Sequence, residues 1–308
     1  MKQWLINIGW ALIELILFLI AVAIVMSILL GLLFLSGFHP VEYLTLTNIS
    51  ESTNPYPLLW LNYLPALIAF VTASIVVHNI LFKRPITSLG YTKYRSAGLF
   101  GKGWYWSALM IIPGFLILWL GHQIKLLTPS WHWSFVFGFL LFFIIQSAGE
   151  EILTRAYLIP MLEYRLGTRI ALVLSASVFA FMHIANDNFT WLGFFNILLG
   201  GSIMALLFVI YRNVMICIGY HAGWNFIQAG LLDFNVSGID VHSLVQFRDI
   251  GYARITGSAF GYEGSLLAVL FQGILLVYIL KNYKIINKPA KKDSIVVESL
   301  PITEITPV

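Results

Sequence analysis

The stretch Gly149-Glu150-Glu151-Ile152-Leu153-Thr154-Arg155 decides how this chain is read. It follows Ser134 to Ala148, a run with no charged residue. Two adjacent carboxylates and a guanidinium therefore stand where the chain should be inside lipid. Each Asp, Lys or Arg at the centre of a membrane helix costs about 2.5–3.5 kcal/mol on insertion scales, so ionisable residues grouped at this depth point to function. On a helix, Glu151 and Arg155 are four residues apart and pair along one face. Glu150 points about 100° away and lacks that partner, which suits it to general acid–base work. The competing reading is a buried ion pair that only fixes helix packing.

Composition supports the lipid setting. Of 308 residues, 59% are hydrophobic and 10% charged, with a mean hydropathy of +0.85. Length alone would allow two soluble domains, but this composition describes one polytopic membrane domain. The formal charge of +4 is spread over short loops and forms no continuous basic patch, which argues against nucleic acid as a partner. The single cysteine, Cys217, excludes an internal disulfide framework and a Cys-rich zinc site. After Lys2 comes an apolar run too long for a signal-peptide core, with no small-x-small cleavage site before Phe38, so it reads as a retained anchor.

A helix crossing the hydrocarbon layer needs about 20 apolar residues, and eight stretches qualify: 5–36, 58–82, 104–121, 134–163, 168–185, 191–211, 213–232 and 263–280. The expected fold is all-α, a polytopic membrane protein with about eight transmembrane helices. The segment from Trp4 to Trp10 is expected at the interface, with Glu14 snorkelling toward water. The fourth stretch spans only by taking Glu150, Glu151 and Arg155 inside. Lys and Arg concentrate at Lys2, 83–102, Arg165, Arg169, Arg212 and 281–292, against only Lys125, Arg248 and Arg254 on the other side. By the positive-inside rule both termini are cytoplasmic. The chain then divides into 1–133 (three helices and loops), 134–232 (a four-helix core), 233–284 (an outer loop and the last helix) and 285–308, a disordered cytoplasmic tail.

Two further polar pairs lie in the core. Phe179-x-x-x-His183 falls on the fifth stretch and His221-x-x-x-Asn225 on the seventh. Taken singly, a hydrogen-bonded structural histidine and interhelical polar glue explain them. Their depth argues for more. Glu150 lies 15 residues before Arg165, His183 lies 14 after Arg169, and His221 and Asn225 lie 9 and 13 after Arg212. At 1.5 Å per residue these are roughly 14–22 Å into the layer, so the groups overlap in level. A Glu, two His and an Asn around one point suit a metal ion or an activated water, with donors left for an oxyanion. His39, His122, His132 and His242 fall by outer loops and His78 near an inner end. Cys217 shares the face of His221, but packing accounts for it. Gly200-Gly201-Ser202 allows close helix contact, and Asn196 is expected to be packing glue.

In these residues the chain resembles the CPBP family of intramembrane proteases, also called Abi, and within it the type II CAAX prenyl endopeptidases. That family shares E-E-x-x-x-R, then F-x-x-x-H, then H-x-x-x-N. Here these are Glu150-Glu151-Ile-Leu-Thr-Arg155, Phe179-Ala-Phe-Met-His183 and His221-Ala-Gly-Trp-Asn225, intact and in order over about Ser134 to Leu232. The resemblance implies that Glu150 and His183 activate water, that His221 and Asn225 stabilise the oxyanion, and that Glu151 and Arg155 orient the site. It also implies either Zn2+ held by Glu150, His183 and His221 or a metal-free glutamate mechanism on the same residues. The implied partners are membrane lipids and a peptide or lipidated protein, either a CAAX-type tail or a leader or bacteriocin-like peptide, reached through a chamber open to the cytoplasm. The expected location is the bacterial plasma membrane. Two other classes compete: a non-enzymatic immunity or scaffold protein of the same fold, and a proton-coupled transporter, against which stands the lack of paired Gly/Pro-interrupted half-repeats.

Overall fold

The computed structural model describes residues 2–36, 56–127, 133–241 and 243–283. The expectations for His39, His132, His242, the tail 285–308 and most of the outer segment 37–57 lie outside the described residues.

The described chain is built from helical rods: α1 (Lys2–Leu35), α2 (Tyr56–Ser74), α3 (Ser96–Leu120), α4 (Trp133–Glu151), α5 (Leu158–Leu166), α6 (Thr168–Phe181), α7 (Trp191–Tyr211), α8 (Met215–Asn225), the short α9 (Ala253–Thr256) and α10 (Leu266–Asn282). Three wide π turns extend them: Ile75–Leu81 continues α2, Ile152–Tyr157 joins α4 to α5, and Phe226–Leu231 continues α8. Strands β1 (Ile124–Leu126) and β2 (Phe247–Asp249) pair antiparallel at one end. The fold is an all-α polytopic membrane fold. Among the described residues, five helices are long and apolar enough to cross a bilayer: Lys2–Leu35, Tyr63–Leu81, Ser96–Leu120, Val136–Leu166 and Trp191–Tyr211. At the other three expected places the helices are shorter. The 14 residues of α6 rise only about 21 Å at 1.5 Å each, against a layer of about 30 Å.

α1 fully buries only Ala11, Glu14 and Phe18, packs Leu15, Leu17, Ala21 and Val22 partly against the core, and exposes much of its remaining apolar surface, as lipid requires. Glu14 does not snorkel as expected. It is fully buried, held by Arg84 at 2.6 and 2.9 Å and by Arg165 at 3.3 Å. The Tyr157 hydroxyl donates to its carbonyl at 3.0 Å. Two guanidiniums on one carboxylate leave no unpaired charge to draw toward water, and the cluster ties α1 to α5 and to the turn after α2. Arg212 pairs with Glu163 at the same end. Lys125 and Arg248 face each other on the strand pair at the opposite end.

The tightest seam joins α3 and α8. Gly219 and Gly223 lie four apart on one face of α8, a small-xxx-small pattern, and meet Gly103 and Ser107 of α3. A Cβ on Gly219 would stand 2.0 Å from the Phe100 carbonyl oxygen, and one on Gly103 would stand 2.1 Å from that of Ile216. The backbones touch, so no side chain fits between them. Gly219→Ala should destabilise the protein by about 1–3 kcal/mol through overpacking; a thermal midpoint in detergent equal to that of the parent would show the seam to be looser.

Candidate active site

The α4–α5 rod carries the acidic pair immediately before its π turn. Glu151 and Arg155 pair as expected, Nη1 to Oε1 at 3.1 Å, and both are fully buried. The guanidinium has further contacts through its two terminal nitrogens and its face. It donates to the Thr154 hydroxyl at 2.5 Å and to the Gly201 carbonyl of α7 at 3.1 Å, and it lies 4.3 Å over the Phe179 ring. Thr154 in turn donates to the Glu150 carbonyl at 2.5 Å, occupying an acceptor at the start of the wide turn.

Glu151 also orients a histidine on another helix. His221 Nδ1 lies 2.9 Å from Glu151 Oε1, and a carboxylate only accepts, so Nδ1 carries the proton and Nε2 is turned toward Glu150. His183 is arranged in the same way: its Nδ1 donates to the Phe179 carbonyl at 2.8 Å, freeing Nε2. α6 ends at Phe181, so His183 stands in the turn beyond the helix and not on it as expected. Phe179 packs edge-on to His221 at 5.4 Å and tilts against His183 at 4.8 Å. This one ring therefore spaces both imidazoles from the Arg155 guanidinium.

The two Nε2 atoms converge on Glu150, each 3.9 Å from Oε2. That oxygen is buried without a hydrogen-bond partner. Its other oxygen accepts from Gln146 Nε2, and Gln146 Oε1 accepts from Asn225 Nδ2 at 2.9 Å. All six expected site residues are thus linked, through Gln146 and Phe179. Sequence reasoning missed Gln146; its position one turn before Glu150 in an apolar run was the available signal.

The 3.9 Å spacing tests what the three atoms can hold. Zinc bonds of about 2.0–2.1 Å would bridge 3.9 Å only with the ligands nearly opposite each other, not tetrahedral. A water at hydrogen-bond distance of about 2.7–2.8 Å from each atom sees them about 90° apart. Among the described residues, no group of three or more His, Cys, Asp or Glu is arranged to hold a metal ion. At this spacing a water fits between Glu150 and each histidine, whereas tetrahedral zinc on Glu150, His183 and His221 would draw the ligands about half an ångström closer.

These groups line one cavity of about 160 Å³, far above the roughly 10–15 Å³ that one water occupies on this measure. One flank is apolar, from Phe139, Phe142 and Phe143 of α4 to Val236, Ile239 and Val241. The last three belong to the connection 233–262, expected to be a loop. That connection folds back over α8, where Glu263 accepts from Trp224 Nε1 at 3.0 Å and from the Ser237 N–H and hydroxyl at 2.9 and 2.7 Å. The connection 233–262 therefore walls the cavity on that side. Cys217 is buried against the Met204 carbonyl at 3.2 Å and is not part of the lining.

A carboxylate oxygen and two imidazole nitrogens face one water-sized point inside the helix bundle, an arrangement that can polarise a water. Residues 131–227, which hold all three motifs, match the family described as type II CAAX prenyl endopeptidase Rce1-like. The match covers less than half of the chain and is a similarity to that family confined to the segment that carries the three motifs. Comparison of the chain with curated proteins finds no match.

The buried pair makes a stability claim. Arg155→Met leaves Glu151 charged without its guanidinium and should cost about 3–5 kcal/mol, read as loss of unfolding free energy in detergent. A loss below about 1 kcal/mol would mean that His221 alone compensates the carboxylate.

Proposed function

We propose that the protein is an endopeptidase that hydrolyses a peptide bond in a lipidated or strongly apolar membrane substrate by a glutamate-activated water, without a metal ion. The observation that supports this is the convergence of Glu150 Oε2 with two free Nε2 atoms at a spacing suited to water. In this reading Glu150, aided by His183, takes a proton from the water as its oxygen attacks the carbonyl carbon. His221, protonated on both nitrogens and backed by Glu151, donates from Nε2 to the oxyanion. Asn225 Nδ2, which spends one hydrogen on Gln146, offers the other. The C–N bond then breaks, and Glu150 returns the proton to the leaving amine. Glu151 and Arg155 hold His221 in place and touch no reacting atom. The apolar flank supports a prenylated CAAX-type tail as substrate, as the family does.

With purified protein and a fluorogenic peptide bearing a prenylated C-terminal Cys-a-a-X tail, wild type should cleave while Glu150→Gln and His183→Ala lose at least about 10²-fold in kcat/KM. Activity should survive chelation. Hydrolysis undiminished in both variants would reject the assignment, and chelator-sensitive activity restored by zinc would replace the metal-free route.

The charge distribution further supports a cytoplasmic basic end. In a Cys217→Ser background, an impermeant maleimide added to whole cells should label Arg254→Cys but not Lys281→Cys. The reverse pattern would invert the topology.

A further inference from the structure

Besides Glu150, the cavity wall holds polar side chains that the mechanism does not use. Asn196 on α7 is fully buried with neither Oδ1 nor Nδ2 hydrogen-bonded, and Gln272 on α10 is 3% exposed with Oε1 unpaired. Both line the cavity. Asn196 is therefore not the interhelical glue expected of it, because glue needs a partner and it has none among the described residues. A buried amide left unpaired costs about 1–3 kcal/mol, and here two carboxamides from different helices bear that cost on the same wall. Gly200 keeps the second one there. It lies one turn after Asn196, and a Cβ on it would come within 2.9 Å of Gln272 Oε1, so a side chain there would displace the carboxamide from its present position.

We infer that Asn196 and Gln272 form a main-chain recognition subsite, in which Asn196 Oδ1 and Gln272 Oε1 accept hydrogen bonds from backbone N–H groups of an extended peptide. This rests on the protease reading of the same cavity. A peptide main chain offers donors in rows, whereas an acyl or prenyl chain offers none. The carboxamide wall thus suits the peptide, and the phenylalanine flank suits the apolar part of the substrate.

The test uses the full chain carrying Glu150→Gln, so that binding does not depend on turnover, with a fluorescent prenylated peptide and a series in which each main-chain amide is N-methylated in turn. N-methylation of at least one amide should weaken binding about tenfold. Asn196→Leu or Gln272→Met should weaken binding of the unmodified peptide to a similar degree, and methylation of that same amide should then add nothing. The thermal midpoint of these variants should equal or exceed that of their parent, since each removes an unpaired polar group. Penalties that add in both variants, or binding unchanged in both, would overturn the subsite; either variant suffices if the other does not fold. Hydrolysis by the Glu150 parent chain, measured separately, reports on the protease reading alone.

Discussion

Glu151 holds a charge where water does not reach, and the arrangement of the site follows from compensating it. One oxygen serves both the Arg155 guanidinium and His221 Nδ1, so a single carboxylate couples the rod α4–α5 to α8. The guanidinium passes the constraint on to α7 through the Gly201 carbonyl and to α6 through the Phe179 face. Four helices are thus registered by one ion pair and the contacts it demands. Its neighbour Glu150, rotated off that face, is free to meet the two Nε2 atoms. Adjacent identical residues differ in role because a helix turns them apart.

The wide turns contribute to the same end. Two of the three polar motifs meet π-helical segments, the first running into Ile152–Tyr157, which holds Arg155, and the third ending just before Phe226–Leu231, and such turns recur at functional sites because they shift side chains off the regular helical lattice. Beyond α8 the chain does not leave the bundle. Glu263 pins the returning segment to Trp224 and Ser237, and its apolar side chains Val236, Ile239 and Val241 complete the cavity. The chamber is therefore walled by aromatic and aliphatic groups on one side and by carboxamides and the glutamate–histidine cluster on the other.

Much of this was legible in the sequence, for identifiable reasons. Charges in an apolar run and pairs at i, i+4 carry their meaning locally, so the Glu151–Arg155 pair and the meeting of Glu150, His183, His221 and Asn225 were readable from spacing and depth. Glu14 was misread because its partners Arg84 and Arg165 are 70 and 151 positions away, a separation that no helical period reports. The connection 233–262 looked like a loop because its buried residues Phe234, Val236, Val241 and Phe260 are interspersed with Gly, Ser and Asn without regular period. Asn196 looked like glue because sequence reveals a polar residue in an apolar helix but not whether anything answers it.

The seam between α3 and α8 divides the surface of the His221 helix into two regimes. Where Gly219 lies against α3 an added Cβ meets the Phe100 backbone, which cannot rotate aside, and at Gly223 it meets the Ser107 hydroxyl and the Trp104 backbone. About 200° around the same helix, the lining faces open space bounded by side chains. Divergence in what the chamber accommodates can therefore accumulate on the cavity walls while the docking groove stays unchanged, so selectivity can drift without disturbing the position of the imidazole.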